Sequence, residues 1–322
     1  MNFNLKIFFI AFILSLPFWW GLNIFQKNLE NFLVLQELEQ YPKIITAQVS
    51  KPILNLDKSL KPLRNWSVDE IKINAKSAIS IFFLEGEKDQ ILFKKNSDSK
   101  LPIASITKLV SASVVSENYD LNLPITISEE AVAQDSDSGQ LKTGEVFQAK
   151  ELLYPLLIES SNDAAYAFAE VIGAQNFVDL MNLEAKKIGM ENTHFVNSSG
   201  IDPITKNIGI NYSTAEDLTK LAKYLLQKPK ILQILSQKEY DLYSIDGLSH
   251  HKLSSTNELL GKNHQIIGGK TGWTPQAQGC LLLILKAPGQ NQGYLVNIIL
   301  GSEDRFGEME KLTDWINTAY KW

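Results

Sequence analysis

The apolar period of this 322-residue chain changes twice, which restricts how it can close a core. Between Ala78 and Asn96 two β-rich runs flank a polar Glu-Gly-Glu-Lys-Asp turn, the composition of a hairpin. From about Ala104 helical spacing takes over. It continues on both sides of a polar Ser160–Asp163 interruption, through Gln175–Ile188, and into STAEDLTKLAKYLLQ, where Ser213 and Glu216 have the spacing of a capping box. After Tyr240 the period shortens again in DLYSI, HQIIGGKTGW, GCLLLILKAP and GYLVNIILG, before an amphipathic segment from Arg305 to the end. Strands at both ends around a helical middle imply a mixed α/β (α+β) fold. In it the two ends share one sheet and a helical lobe is inserted between them.

The composition, 44% hydrophobic and 21% charged, is ordinary for a globular protein with a large core. A net charge of −5 without a basic cluster argues against nucleic acid as a partner. The single cysteine, Cys280, rules out an internal disulfide and reads as a buried strand residue. His194, His250, His251 and His264 lack HxH or HxxxH spacing and no Cys pair is present, so neither a metal nor a cofactor is expected.

Residues 1–28 carry no charge from Ile7 to Phe25, a length close to what a helix needs to cross a bilayer. A cleaved signal peptide and a retained anchor both fit. Bulky Phe18, Trp19, Trp20 and Leu22 stand where small residues would mark a cleavage site, and the tryptophans suit an interfacial belt, which favours the anchor. Lys6 lies on one side, and Glu30, Glu37 and Glu39 follow Lys27 on the other. This places the N-terminus inside and the bulk of the chain outside the cytoplasm. Residues 29–75, broken by Pro42, Pro52 and Pro62, read as a stalk or linker that either lifts the following domain or packs on it. Residues 76–322 form that domain.

Within the domain, Ser105 and Lys108 stand three apart at the opening of a helical run, LPIASITKLVSASVV. At that spacing the two side chains share a face, and a lysine with a lowered pKa can take the serine's proton. A plain amphipathic surface helix produces the same spacing, so the pair needs partners. Two later stretches supply them. Ser160 offers a hydroxyl that can relay a proton, and Asn162 both a donor and an acceptor. Lys270 brings a positive charge suited to a carboxylate, Thr271 a hydroxyl beside it, and Gly272 room for close backbone approach. A second Lys-Thr-Gly, at Lys142–Gly144, lies in a polar turn region and reads as a solvated loop. The one at Lys270 precedes the apolar run Cys280–Leu285 and can sit on a sheet edge.

S-x-x-K, S-x-N and K-T-G in this order are the signature of β-lactamases and penicillin-binding proteins. PIASITKL, LLYPLLIESSNDAAYAFAE, NTHFVNSSGID, YSTAEDL and GGKTGWT resemble the recurrent blocks of the D-alanyl-D-alanine carboxypeptidase family, over about residues 76–320. The resemblance implies a β-lactamase/DD-peptidase-like fold, an antiparallel sheet flanked by helices with an inserted all-helical lobe. It also implies a serine acyl-enzyme acting on peptidoglycan stem peptides that end in D-Ala-D-Ala, with β-lactams as covalent inhibitors. Ser105 would be the nucleophile, Lys108 the general base, Ser160 the proton relay and Asn162 a substrate-positioning group. Lys270, Thr271 and Gly272 would bind the substrate's end, and the backbone N–H groups of Ser105 and Trp273 would form the oxyanion hole.

The sequence departs from the family's pattern at three places. Ser161 stands where the family often has glycine and Trp273 where histidine is frequent. Trp322 comes too soon after Lys270 for the further β-rich domain many members carry, so an N-terminal anchor is expected to replace a C-terminal one. Three rivals differ in what they need. A class A β-lactamase requires a glutamate in an E-x-x-x-N loop, and the candidate Glu191 is followed four residues on by Phe195. An endopeptidase cutting cross-linked stem peptides would use the same residues. A non-catalytic wall-binding protein would tolerate loss of the nucleophile or base, and both are present.

Overall fold

The computed structural model describes residues 61–134, 140–202, 209–262, 265–289 and 293–322. The expected anchor and most of the stalk, residues 1–60, lie outside them, as does His264.

In chain order the elements begin with β1 (Leu63–Arg64), β2 (Ala75–Phe83), β3 (Gln90–Lys95) and β4 (Leu101–Pro102). A 3-10 turn, Ala104–Thr107, then opens α1 (Lys108–Asn118). The lobe continues with β5 (Pro124–Thr126), α2 (Glu129–Val132), β6 (Val146–Gln148) and α3 (Ala149–Tyr154). A π-helical turn, Pro155–Glu159, leads into α4 (Asn162–Ile172) and α5 (Ala174–Lys187). After β7 (Tyr212–Ser213) come α6 (Ala215–Leu225), α7 (Pro229–Leu235) and the hairpin of β8 (Glu239–Tyr243) and β9 (Ser249–Ser254). The chain closes with β10 (Ile266–Thr274), β11 (Gln278–Lys286), β12 (Tyr294–Ser302), α8 (Arg305–Ala319) and β13 (Tyr320–Lys321).

The two ends do share a sheet. Its five strands run β10-β11-β12-β2-β3, every neighbouring pair antiparallel. The sheet is covered on both faces, which is why its strands read as unbroken apolar runs and not as an alternation. Successive side chains of β11 point to opposite faces. Cys280, Leu282 and Ile284 join the core under the helical lobe, and Leu281, Leu283 and Leu285 join a second core under α8. This arrangement leaves β10 at one sheet edge, beside the start of α1.

Residues 61–75 take the packed alternative. β1 pairs with β13, Ile73 is buried, and the Trp315 indole donates to the Asp69 carbonyl at 2.8 Å. The capping box at Ser213 is displaced by one residue. The N-cap of α6 is Thr214, whose Oγ1 accepts from Asp217 N at 3.0 Å, while Ser213 is spent in β7 with its hydroxyl 2.7 Å from Thr193 Oγ1. Ser and Thr are both favoured caps by type, so the β7 pairing with β4 decides which one is free to cap.

Candidate active site

The Ser105 turn is strained and braced. Ala104 adopts φ +46°, a left-handed conformation costly for a non-glycine residue. Gly200, from the loop after α5, is pressed against it: a Cβ there would lie 2.0 Å from the Ala104 carbonyl oxygen. The loop holds its own shape through Asn197, whose Oδ1 accepts from Gly200 N at 2.7 Å and whose Nδ2 donates to Ile201 O at 3.0 Å.

Lys108, the first residue of α1, is fully buried. Its Nζ lies 2.7 Å from Asn162 Oδ1, 2.8 Å from the Ser199 carbonyl and 2.8 Å from Ser105 Oγ. The first two can only accept, so they take N–H groups of the amine. Burial pushes the Lys108 pKa well below the usual lysine range, the nearby Lys270 lowers it further, and Asp163 acts in the opposite direction. A neutral amine keeps one lone pair. With two N–H groups committed to acceptors, that lone pair is left for the Ser105 hydroxyl, the arrangement that activates a serine. Asp163 is itself buried, and its carboxyl is pushed up to about 6 by desolvation.

Ser160 and Asn162 arrive on the widened turn that ends at Glu159. Ser160 sits in the left-handed region at φ 67°, and Ser161 N closes the turn on Pro155 O at 2.9 Å. Ser161, one of the departures from the family pattern, caps α4: its Oγ accepts from Ala164 N at 3.1 Å.

The third wall is β10. Lys270 is buried, with Nζ donating to the Thr271 carbonyl at 3.0 Å, and its pKa is lowered to about 7 by burial and by the Arg305 charge. Thr271 Oγ1 lies 2.6 Å from Thr256 Oγ1. A Cβ on Gly272 would stand 3.0 Å from both Ser105 N and Ile103 O, so only glycine lets the strand lie this close to the nucleophile's turn. Trp273 follows, its indole 62% exposed on the rim.

Ser105, Ser160, Asn162, Thr271, Gly272 and Trp273 thus line one cleft of about 700 Å³, with Lys108 and Lys270 buried in its walls. The Lys142–Gly144 motif is elsewhere, on an exposed loop beside the β8–β9 hairpin, and Glu191 does not line the cleft. Sequence reading missed Thr256, Asp202, Glu159 and Arg305, all of which line it. Arg305 donates from Nη1 to the Gly272 carbonyl at 3.2 Å. It lies in the helix start after β12, with no motif around it to mark it.

The model of the D-alanyl-D-alanine carboxypeptidase family matches residues 64–303. A D-alanyl-D-alanine carboxypeptidase of Bacillus subtilis is 30% identical over 259 residues, covering 78% of this chain and 64% of that protein. A D-alanyl-D-alanine endopeptidase of Pseudomonas aeruginosa is 31% identical over 236 residues, 71% of this chain and 74% of that one. The crystal structure of a Streptomyces DD-transpeptidase superposes with a TM-score of 0.69 at 28% identity, across 78% of this chain and 100% of that one.

Proposed function

The chain belongs to the D-alanyl-D-alanine carboxypeptidase family, and we propose that it is a serine-type carboxypeptidase that trims D-Ala-D-Ala stem peptides of peptidoglycan through an acyl-enzyme. The observation that carries this reading is the setting of Lys108, a buried amine with two acceptor-only partners and the Ser105 hydroxyl as its third.

The substrate lies along β10 with its scissile carbonyl over Ser105. Lys108 takes the Ser105 proton as Oγ attacks. The developing oxyanion is received by the backbone N–H groups of Ser105 and Trp273, a pairing supported by the close approach of Gly272 to the Ser105 turn. Losing one such donor costs roughly a hundredfold or more in rate. Ser160 then hands a proton to the departing D-alanine nitrogen, and the C–N bond breaks. Asn162 holds Lys108 from one side and faces the cleft with the other. Lys270 and Thr271 receive the substrate's carboxylate, with Arg305 adding positive charge from the cleft wall. Water attacks the ester and frees Ser105. β-Lactams acylate the same serine.

The Pseudomonas relative is a D-alanyl-D-alanine endopeptidase, so cutting of cross-linked stem peptides is the alternative reaction for the same residues, and the products distinguish the two. With the full-length protein and a muropeptide mixture, mass analysis is expected to show pentapeptides losing one alanine. Ser105→Ala is expected to abolish both this reaction and covalent labelling by a fluorescent penicillin. Labelling that survives the substitution would refute the nucleophile, and conversion of dimers to monomers without alanine loss would favour the endopeptidase.

The two lysines set opposite pH limbs. Lys108 must be neutral to act as base, so acylation rises as pH passes upward through its lowered pKa. Lys270 must be charged to hold a carboxylate, so capture of free substrate falls as pH rises past about 7. A bound carboxylate favours the charged lysine and raises its pKa. The falling limb is therefore expected in kcat/KM and displaced to higher pH in kcat, measured on a D-Ala-D-Ala peptide.

The uncharged stretch in residues 1–28 supports a single-pass membrane anchor with the catalytic unit outside the cytoplasm. Among the described residues no helix is long and apolar enough to cross a membrane. The full-length protein is expected to sediment with membranes. A mature soluble form starting after about residue 25 would instead mark a cleaved signal.

A further inference from the structure

Among the described residues three charged side chains line the cleft: Glu159, Asp202 and Arg305. Glu159 is paired with His251, Nε2 to Oε2 3.0 Å, and Arg305 is bonded to the Gly272 carbonyl. Asp202 alone reaches from one wall of the cleft to the other. Its Oδ1 accepts from Thr274 Oγ1 at 2.9 Å and its Oδ2 from Gln276 N at 3.1 Å. Thr274 is the last residue of β10, next to Trp273, and Gln276 lies in the turn that leads into β11. The Thr274 hydroxyl is used twice, since it also accepts from Ala277 N at 3.1 Å.

The other end of this strap is just as firmly held. Asp202 follows Gly200 by two residues, and Gly200 is seated against the Ala104 carbonyl, one residue before the nucleophile. The same loop supplies the Ser199 carbonyl that holds Lys108. One short segment, Asn197–Asp202, is therefore held at Ser199 and Gly200 against the turn bearing the Ser105 N–H and its neighbour Lys108, and at Asp202 to the strand bearing the Trp273 N–H. The separation of those two donors is a distance across two different elements, and among the described residues β10 is an edge strand with no further strand beyond it to hold it there.

We propose that Asp202 is a positioning residue: through Thr274 and Gln276 it fixes the end of β10 so that the Trp273 N–H stays in register with that of Ser105. This rests on the oxyanion hole assigned under the proposed function. A carboxylate with both oxygens engaged by a hydroxyl and an N–H is a stronger tie than two neutral bonds. Its consequence is kinetic, because a donor displaced by about 1 Å loses much of its effect on the transition state and little of its effect on reversible binding.

The test uses the full-length protein and a fluorescent penicillin, with active sites counted by the labelling end point and rates expressed per active site. Thr274→Val keeps the shape of the side chain and removes both hydrogen bonds; Thr274→Ser keeps them. Thr274→Val is expected to slow acylation and deacylation together, each by roughly tenfold or more, with the dissociation constant of the initial complex changed by less than about twofold. Thr274→Ser is expected to stay within about threefold of the parent. Asp202→Ala removes the Thr274 and Gln276 bonds where Thr274→Val removes the Thr274 and Ala277 bonds, so it should slow both steps likewise, and because the Asp202–Thr274 bond is common to both the double variant should lose less than the product of the two single effects. Acylation and deacylation at parental rates in Thr274→Val, or a loss confined to the fraction of active sites, would overturn the proposal while leaving the serine mechanism standing. A parent protein that is not labelled at all would overturn the mechanism beneath it.

Discussion

The buried amine of Lys108 is the constraint on which the rest of the site depends. A lysine side chain fully removed from water is expensive in its charged form, and the fold answers with two acceptors and a nearby second lysine. Each partner comes from a different part of the chain: Asn162 from the start of α4, Ser199 from the loop after α5, Lys270 from β10. Holding one amine neutral thus obliges the helical lobe, the loop and the sheet edge to meet at the turn before α1. Gly200 and Gly272 are the two places where that meeting leaves no room for a side chain.

The sheet makes this meeting possible by presenting one of its two edges, β10, to the start of α1. Its two faces are buried under separate cores, and β1 and β13 clip the domain's ends together. β10 is left as the edge against which an extended peptide can lie. An edge strand is a site of unpaired backbone groups, which a peptide substrate can use and which the neighbouring turns must keep in place. Arg305 at the Gly272 carbonyl and Asp202 at the strand's end both serve that second requirement.

Much of this was legible in the sequence, for physical reasons that also explain what was not. The hairpin before Ser105 and the three late strands announced themselves by apolar period, because a sheet buried on both faces needs long runs such as Cys280–Leu285. Ser105, Lys108, Ser160, Asn162, Lys270 and Thr271 were found because each sits in a short block with fixed spacing, and the structure brings all of them to one cleft or its walls. Thr256, Asp202 and Arg305 were missed because loops and helix starts deliver them singly, at positions fixed by tertiary packing and not by local period. The same reason moved the α6 cap from Ser213 to Thr214, where strand pairing overrides a choice that residue type leaves even. Residues 61–75 gave no periodic signal, since short segments tied down by single contacts such as Trp315 to Asp69 produce none.

The account stands on Lys108 being neutral where its neighbours leave it only acceptors and a hydroxyl. The most direct measurement is the protonation state of that one amine, by nuclear magnetic resonance of lysine labelled at Cε and Nζ, with the Lys108 signal assigned by its loss in Lys108→Arg. The account predicts that Lys108 titrates far below the exposed lysines, showing the shifts of a neutral amine while they are still cationic. A Lys108 signal that stays cationic through pH 7 and titrates with the surface lysines would contradict it.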